Sequence, residues 1–283
     1  MIQRLAVLGL GLLGGSVAKA VRAAGLAREI VGIGRDAARL EPARRDGTVD
    51  RVTTDVAAGV RGADVVVLAT TVDAIERQLE TVARTVEADA LVTDVGSTKA
   101  GIVAAAERLA AGRPFPFVGS HPMAGSEQAG YAVSRADLFR GATVIVTPTD
   151  RTPPALVKNA GAFWESLGAG RIVQLDPQAH DRAVAAISHL PHVAAFALVD
   201  AVARFEPGAF EVAARGFRDT TRIAASDPEV WCTILLANRA AVVDSLAVFR
   251  EALDALERLI VTGDAAALQA AIARVKGQRE ALR

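Results

Sequence analysis

The chain has 283 residues, enough for one large domain or two of ordinary size. Its 32 basic residues are matched by 32 acidic ones, so no net field draws it to nucleic acid or to an anionic membrane, and an anionic ligand must be held by local groups. A single cysteine, Cys232, excludes an intrachain disulfide and a multi-cysteine zinc site and fits the reducing cytoplasm; four histidines without an HxxxH or HExxH pattern argue against a dedicated metal site.

The first element is a short apolar strand, Leu5 to Leu8, followed at once by Gly9-Leu-Gly11-Leu12-Leu-Gly14-Gly-Ser16 and a helix over Val17 to Ala24. Strand, GxGxxG and helix in this order form a dinucleotide-binding signature. Gly9 permits the tight turn, Gly11 lets the backbone approach a pyrophosphate, and Gly14 lets helix and strand pack closely; the N-terminus of the helix that follows presents free N–H groups to phosphate, and Leu12 is counted with the glycines as cofactor-binding. The same uncharged run faintly resembles a secretory leader, but its glycines weaken a signal helix and it reads better as strand plus turn. No run is expected to be apolar and long enough to span a bilayer.

The second strand, Glu29 to Gly34, ends where an NAD enzyme usually carries Asp or Glu for the ribose hydroxyls; here Gly34 and Arg35 stand instead. Loss of the carboxylate and gain of a guanidinium favour NADP, Asp36 keeps NAD open, and the plain alternative is that Arg35 starts a solvated helix. A buried strand over Ala63 to Thr70, a helix over Ala74 to Val86, a strand over Ala90 to Val95 and a helix from the Ser97-Thr-Lys99 cap to about Ala111 continue the alternation. Phe115 to Gly119 reads as an edge strand, because Pro116 cannot donate to a central ladder. The pattern predicts an α/β, Rossmann-type doubly wound parallel sheet. Gly9–Gly14, Thr70, Gly96–Lys99 and Ser120–Glu127 should then meet in one crevice at the carboxyl ends of the strands.

Strands over Ala142 to Thr147 and Arg171 to Asp176 flank a helix from Pro154 to Leu167. After Asp176 the period is helical throughout: Pro177 to Arg204, kinked at Pro191, then Pro228 to Thr262 and Asp264 to Leu282. We therefore expect a dinucleotide-binding domain over 1–176 and an all-helical C-terminal domain over 177–283. The helical half carries more apolar positions than a lone small bundle can bury, so a homodimer through it is expected.

Chemistry concentrates in a few polar islands. Gly119-Ser-His121-Pro-Met-Ala-Gly125-Ser-Glu127 sets an imidazole among loop-forming residues, and His121 is the expected proton acceptor where the two halves meet. Ser97 is either an ordinary helix cap or the group that orients His121, and Lys99 either reaches a phosphate or stays solvated. Ser188-His189-Leu-Pro-His192 places two histidines beside a helix-disrupting proline, which favours a site. In Gly216 to Ser226, Arg222 can clamp a carboxylate through two parallel N–H bonds; the alternative is a structural pair of Arg218 or Arg222 with Asp219.

GLGLLGGS, DVGSTK, GSHPMAGSE, SHLPH and RDTTRIAASDPEVW, in this order, resemble the prephenate/arogenate dehydrogenase family of tyrosine biosynthesis over almost the whole chain. The resemblance implies oxidative decarboxylation of a cyclohexadiene acid, with hydride passing from C4 to NAD(P)+. It implies that His121 takes the C4 hydroxyl proton, that Ser97 bonds the same region, that Arg222 holds a substrate carboxylate, and that His189 and Glu127 line the pocket. Glu127 could meet the ammonium of arogenate, so both substrates stay open. A β-hydroxyacid-type dehydrogenase would need a lysine on the long interdomain helix, and none lies between Pro177 and Arg204. A nucleotide-sensing module without turnover would not need His121, Ser97, His189 and Arg222 together.

Overall fold

Leu5, Ala6, Val7 and Leu8 are completely buried, which places β1 (Ile2–Leu8) at the centre of a five-stranded parallel sheet. Its order is β3-β2-β1-β4-β5, with β2 Ala27–Ile33, β3 Arg51–Thr53, β4 Val65–Leu68 and β5 Leu91–Asp94. Side chains alternate across the sheet, so Leu5 and Val7 join one core and Ala6 and Leu8 the other. On the first face lie α1 (Leu12–Ala23) and α2 (Ala37–Arg45); on the second lie α3 (Val56–Val60), α4 (Val72–Thr85) and α5 (Ala100–Ala110). This is the doubly wound sheet expected, with its order reversing between β1 and β4. The computed structural model describes residues 1–282 of the chain.

A second, three-stranded sheet follows: β6 Gly119–Pro122, β7 Thr143–Thr147 and β8 Arg171–Gln174, with β6 antiparallel and β8 parallel to β7. It continues the first sheet through one bridge, where Val92 N–H donates to the Pro116 carbonyl (2.9 Å) and Val118 N–H to the Val92 carbonyl (3.0 Å). The edge strand expected over Phe115 to Gly119 is thus an internal bridge, tolerated because the register uses the proline's carbonyl and not its missing N–H. The loop expected at His121 is likewise part of β6, with His121 opposite Ile145. α6 (Pro154–Ser166) closes the first face with the buried pair Trp164 and Phe163.

By contacts the chain divides into two compact units, Met1–Asn238 and Arg239–Arg283. The first unit takes in four helices beyond the sheets: α7 (Pro177–Val184), α8 (Leu190–Phe205), α9 (Arg215–Thr221) and α10 (Pro228–Ala237). A π-turn over Ala185–His189 joins α7 to α8, closed by Leu190 N–H on the Ala185 carbonyl, and it brings Pro191 into the first turn of α8, where its missing N–H is tolerated. Pro177–Phe205 is therefore one helical run of 29 residues, long and apolar enough by composition to cross a membrane, contrary to the expectation that none would be. Its buried polar positions, His180, Asp181 and His189, are held by protein groups. The single helix expected over Pro228 to Thr262 breaks at Asn238, whose backbone N–H still closes the last turn on the Ile234 carbonyl (3.1 Å) and whose side-chain amide donates to the Asp181 carbonyl (2.7 Å). The second unit holds α11 (Arg239–Thr262) and α12 (Ala265–Glu280), the latter capped by Asp264, which accepts from Ala267 N–H at 2.9 Å.

Candidate active site

The glycine-rich turn is built as its sequence requires. Gly9 sits at φ +93°, and a Cβ there would lie 2.6 Å from the Ala69 carbonyl oxygen, while a Cβ on Gly14 would lie 1.9 Å from the Gly9 carbonyl oxygen. Around Gly11, by contrast, a Cβ would meet no atom within 4 Å. Gly11 caps α1 without any side-chain acceptor, so the N–H groups at Leu12 and its neighbours start a helix beside open space. These features fit a dinucleotide pyrophosphate. Thr70, at the end of β4, packs its methyl against Gly9 and donates its hydroxyl to Gln78 Oε1 (3.0 Å). Arg35 is exposed after Gly34, whereas the Asp36 carboxylate is engaged as the cap of α2, accepting from Ala38 N–H at 2.9 Å with Arg39 at 3.7 Å.

His121, half-buried on β6, shares a hydrogen bond between its Nδ1 and His180 Nε2 (2.9 Å). His180 is completely buried on α7, and its Nδ1 meets Asp181 Oδ1 at 2.7 Å. Asp181 in turn accepts from the backbone N–H groups of Lys99 (2.7 Å) and Ala100 (3.0 Å), so a carboxylate from the helical half caps α5. Ser97 therefore neither caps α5, which starts at Ala100, nor holds His121 Nδ1, which His180 occupies; Ser97 stays half-buried in the turn after β5. Desolvation, with the nearby charges of His180, Lys99 and His189, holds the His121 imidazole well below the ordinary histidine range. Burial likewise lowers His180, against the raising influence of Asp181. Asp181 lies below the usual carboxylate range: its burial acts upward, but the bonds from His180 and the two backbone N–H groups outweigh it.

Beneath this chain lies an ion pair that the sequence did not announce. Lys99 is completely buried, and its ammonium donates to Asp94 Oδ2 and to the Ser120 carbonyl (2.9 Å). Asp94 also accepts from Gly96 N–H (2.8 Å) and Ser120 N–H (3.1 Å), tying the end of β5 to the residue before His121. Lys99 thus neither reaches toward a phosphate nor is solvated, the two options its sequence context offered.

Arg222, in a 3-10 turn after α9, pairs with Glu127 at 2.6 Å, while Asp219 takes Arg215 at 3.2 Å; the structural pair with Asp219 considered for Arg222 does not form. The two histidines of SHLPH differ sharply. His189 is 1% exposed, meets the Asn238 amide at 3.2 Å, and is lowered to about 4 by burial. His192 is half-buried, donates Nδ1–H to the Ser188 carbonyl (2.8 Å) and stacks on Trp231 with ring centroids 3.5 Å apart. Sequence reading missed His180 and Asp181; the available signal was an adjacent His–Asp pair just after the Asp176-Pro177 helix start.

Residues 17–173 match the model of the prephenate dehydrogenase nucleotide-binding domain, and residues 176–274 match that of the prephenate dehydrogenase dimerization domain. The chain belongs to the prephenate dehydrogenase family. Within that family it is 34% identical to the prephenate dehydrogenase of Bacillus subtilis, over all of this chain and 76% of that protein. It is 33% identical to the cyclohexadienyl dehydrogenase of Zymomonas mobilis, over 93% of this chain and 90% of that one. The crystal structure of A. aeolicus prephenate dehydrogenase in complex with hydroxyphenyl propionate and NAD+ superposes with a TM-score of 0.92 at 32% identity, covering 100% of this chain and 99% of the other. Prephenate dehydrogenases of this family thus share with the chain both the Rossmann-type half and the helical half.

Proposed function

We propose that the chain catalyses NAD(P)-dependent oxidative decarboxylation of prephenate, L-arogenate or both, to 4-hydroxyphenylpyruvate or L-tyrosine. The observation that carries the proposal is a desolvated imidazole, His121, set at the carboxyl edge of the sheet beside a buried His–Asp pair. Because its surroundings keep His121 uncharged at neutral pH, it can accept the C4 hydroxyl proton as the C4–H bond is broken. A bound nicotinamide would accept the hydride. Gly9, Gly11, Leu12 and Gly14 form the turn that would receive the dinucleotide, with Thr70 packed against it from the end of β4, and Arg35, exposed where Asp36 is engaged as a cap, supports a preference for NADP over NAD.

Arg222 is the carboxylate clamp in this reading: its guanidinium keeps donors free beyond the one on Glu127, which itself stands ready for an ammonium. His192, on the more accessible side of the SHLPH pair, adds a substrate contact, with His189 behind it as support. Ser97 completes the site from the turn after β5. The functional division falls at residue 176, with residues 177–283 binding substrate and joining two copies into a cytoplasmic homodimer.

Initial rates with prephenate and with arogenate, each against NAD+ and NADP+, test the proposal. We expect turnover with at least one acid, faster with NADP+, and a loss of about 10²–10⁴-fold in kcat for His121→Ala. Since the His121 imidazole is held below 6.5, kcat/KM should stay on its plateau as pH falls through 6.5 and decline only at lower pH. Absence of turnover with all four pairs would reject the reading.

A further inference from the structure

The hydrogen bonds around His121 fix which of its nitrogens carries the proton. Asp181 accepts three donors, His180 Nδ1 and the N–H groups of Lys99 and Ala100, and an ionised carboxylate has no proton to give, so His180 Nδ1 must carry the hydrogen. A neutral His180 then presents a bare Nε2. The partner at 2.9 Å, His121 Nδ1, must donate to it, which leaves His121 Nε2 as the free lone pair. The groups facing these two histidines are Asp94 at the end of β5, Lys99 just before α5, Asp181 on α7 and His189 from the π-turn. Lys99 opposes a positive charge on either ring, but His180 has carboxylates that favour one, Asp181 in direct hydrogen bond and Asp94 beyond it, whereas His121 has none.

We infer that His180 and Asp181 are positioning residues that hold His121 with its proton on Nδ1 and Nε2 free, and that carry the charge of the accepted proton inward. The step balances without electron transfer: the substrate O–H breaks as His121 Nε2–H forms, and His121 Nδ1–H breaks as His180 Nε2–H forms. The positive charge comes to rest on the imidazolium that touches the Asp181 carboxylate, away from the reacting carbon. The inference rests on the reading of His121 as the base.

Nitrogen NMR of protein carrying 15N-labelled histidine, with signals assigned by single-histidine variants, reads the tautomer without turnover. At pH 7.5 the His121 signals should show a protonated Nδ1 and a bare Nε2; a protonated Nε2 would overturn the inference. In His180→Gln the preference should disappear, kcat should fall about 10²-fold with KM within about threefold, and rates in H2O/D2O mixtures should change from a curved to a linear dependence on deuterium fraction. An unchanged kcat and an equally curved dependence in His180→Gln would also overturn it. A wild-type chain with the expected tautomer and no turnover would instead reject the proposed reaction while leaving the positioning intact.

Discussion

Lys99 shows how much one buried side chain can organise. Its ammonium has no contact with water, and burial lowers its pKa against the raising influence of Asp94 and Asp181. The pair exists because Asp94 ends β5 and Lys99 precedes α5, so the intervening turn folds the two side chains onto each other. Nothing in the spacing announces it, since a lysine after a GST turn reads as surface until the covering residues are known. Replacing Lys99 by methionine leaves a buried carboxylate without its cation, which costs about 3–5 kcal/mol. Urea denaturation of Lys99→Met at pH 7.5 should show that loss, and the double variant Asp94→Asn/Lys99→Met should recover at least half of it. A single variant within about 1 kcal/mol of wild type would mean that the pair is dispensable. Removing the Lys99 cation favours a charged His121, so the acid limb of kcat/KM should move to higher pH.

The strand–turn–helix unit of β1 and α1 was legible because its constraints are local. Apolar Leu5–Leu8, a glycine at positive φ and a helix start without a side-chain cap lie within a dozen residues. Its two inner glycines serve separable purposes. An alanine at 14 would drive its Cβ into the Gly9 carbonyl, so helix and turn must part, at a cost of about 1–3 kcal/mol or more. An alanine at 11 meets no protein atom and finds an ordinary backbone, φ −87° and ψ −155°, so its stability should stay within about 0.5 kcal/mol of wild type. It would, however, fill the space beside the helix start. Thermal unfolding and nucleotide titration by protein fluorescence should separate the two: Gly14→Ala loses stability and affinity, and Gly11→Ala loses only affinity, at least about tenfold. Equal nucleotide affinity in Gly11→Ala and wild type would remove the pyrophosphate from that space. The π-turn before Pro191 was less legible, because proline signals an interruption but not that the helix absorbs it with one wider turn.

At the scale of the whole molecule, sequence periodicity carried the doubly wound half and the helical half, because alternation of apolar runs is a local property. It did not carry the relay, because His121, His180 and Asp181 meet across dozens of residues, nor the break at Asn238, where the side chain reaches the distant Asp181 carbonyl. The helices after residue 176 also leave a question that only assembly answers. Phe205 is 92% and Val261 78% exposed, and on α11 Leu253, Leu256 and Ile260 form an uncovered stripe at i, i+3 and i+7. An apolar stripe of this kind on a monomer would be an aggregation liability, whereas a second copy would remove it from water, and the matched dimerization domain spans the same residues. Sedimentation equilibrium at micromolar concentration should therefore give twice the 29.4 kDa chain mass. Charging the stripe with Leu253→Asp and Ile260→Asp should shift the species toward one chain, with activity per chain falling on dilution. A wild-type mass of a single chain would leave the stripe without this partner, and the double variant would then sediment like wild type.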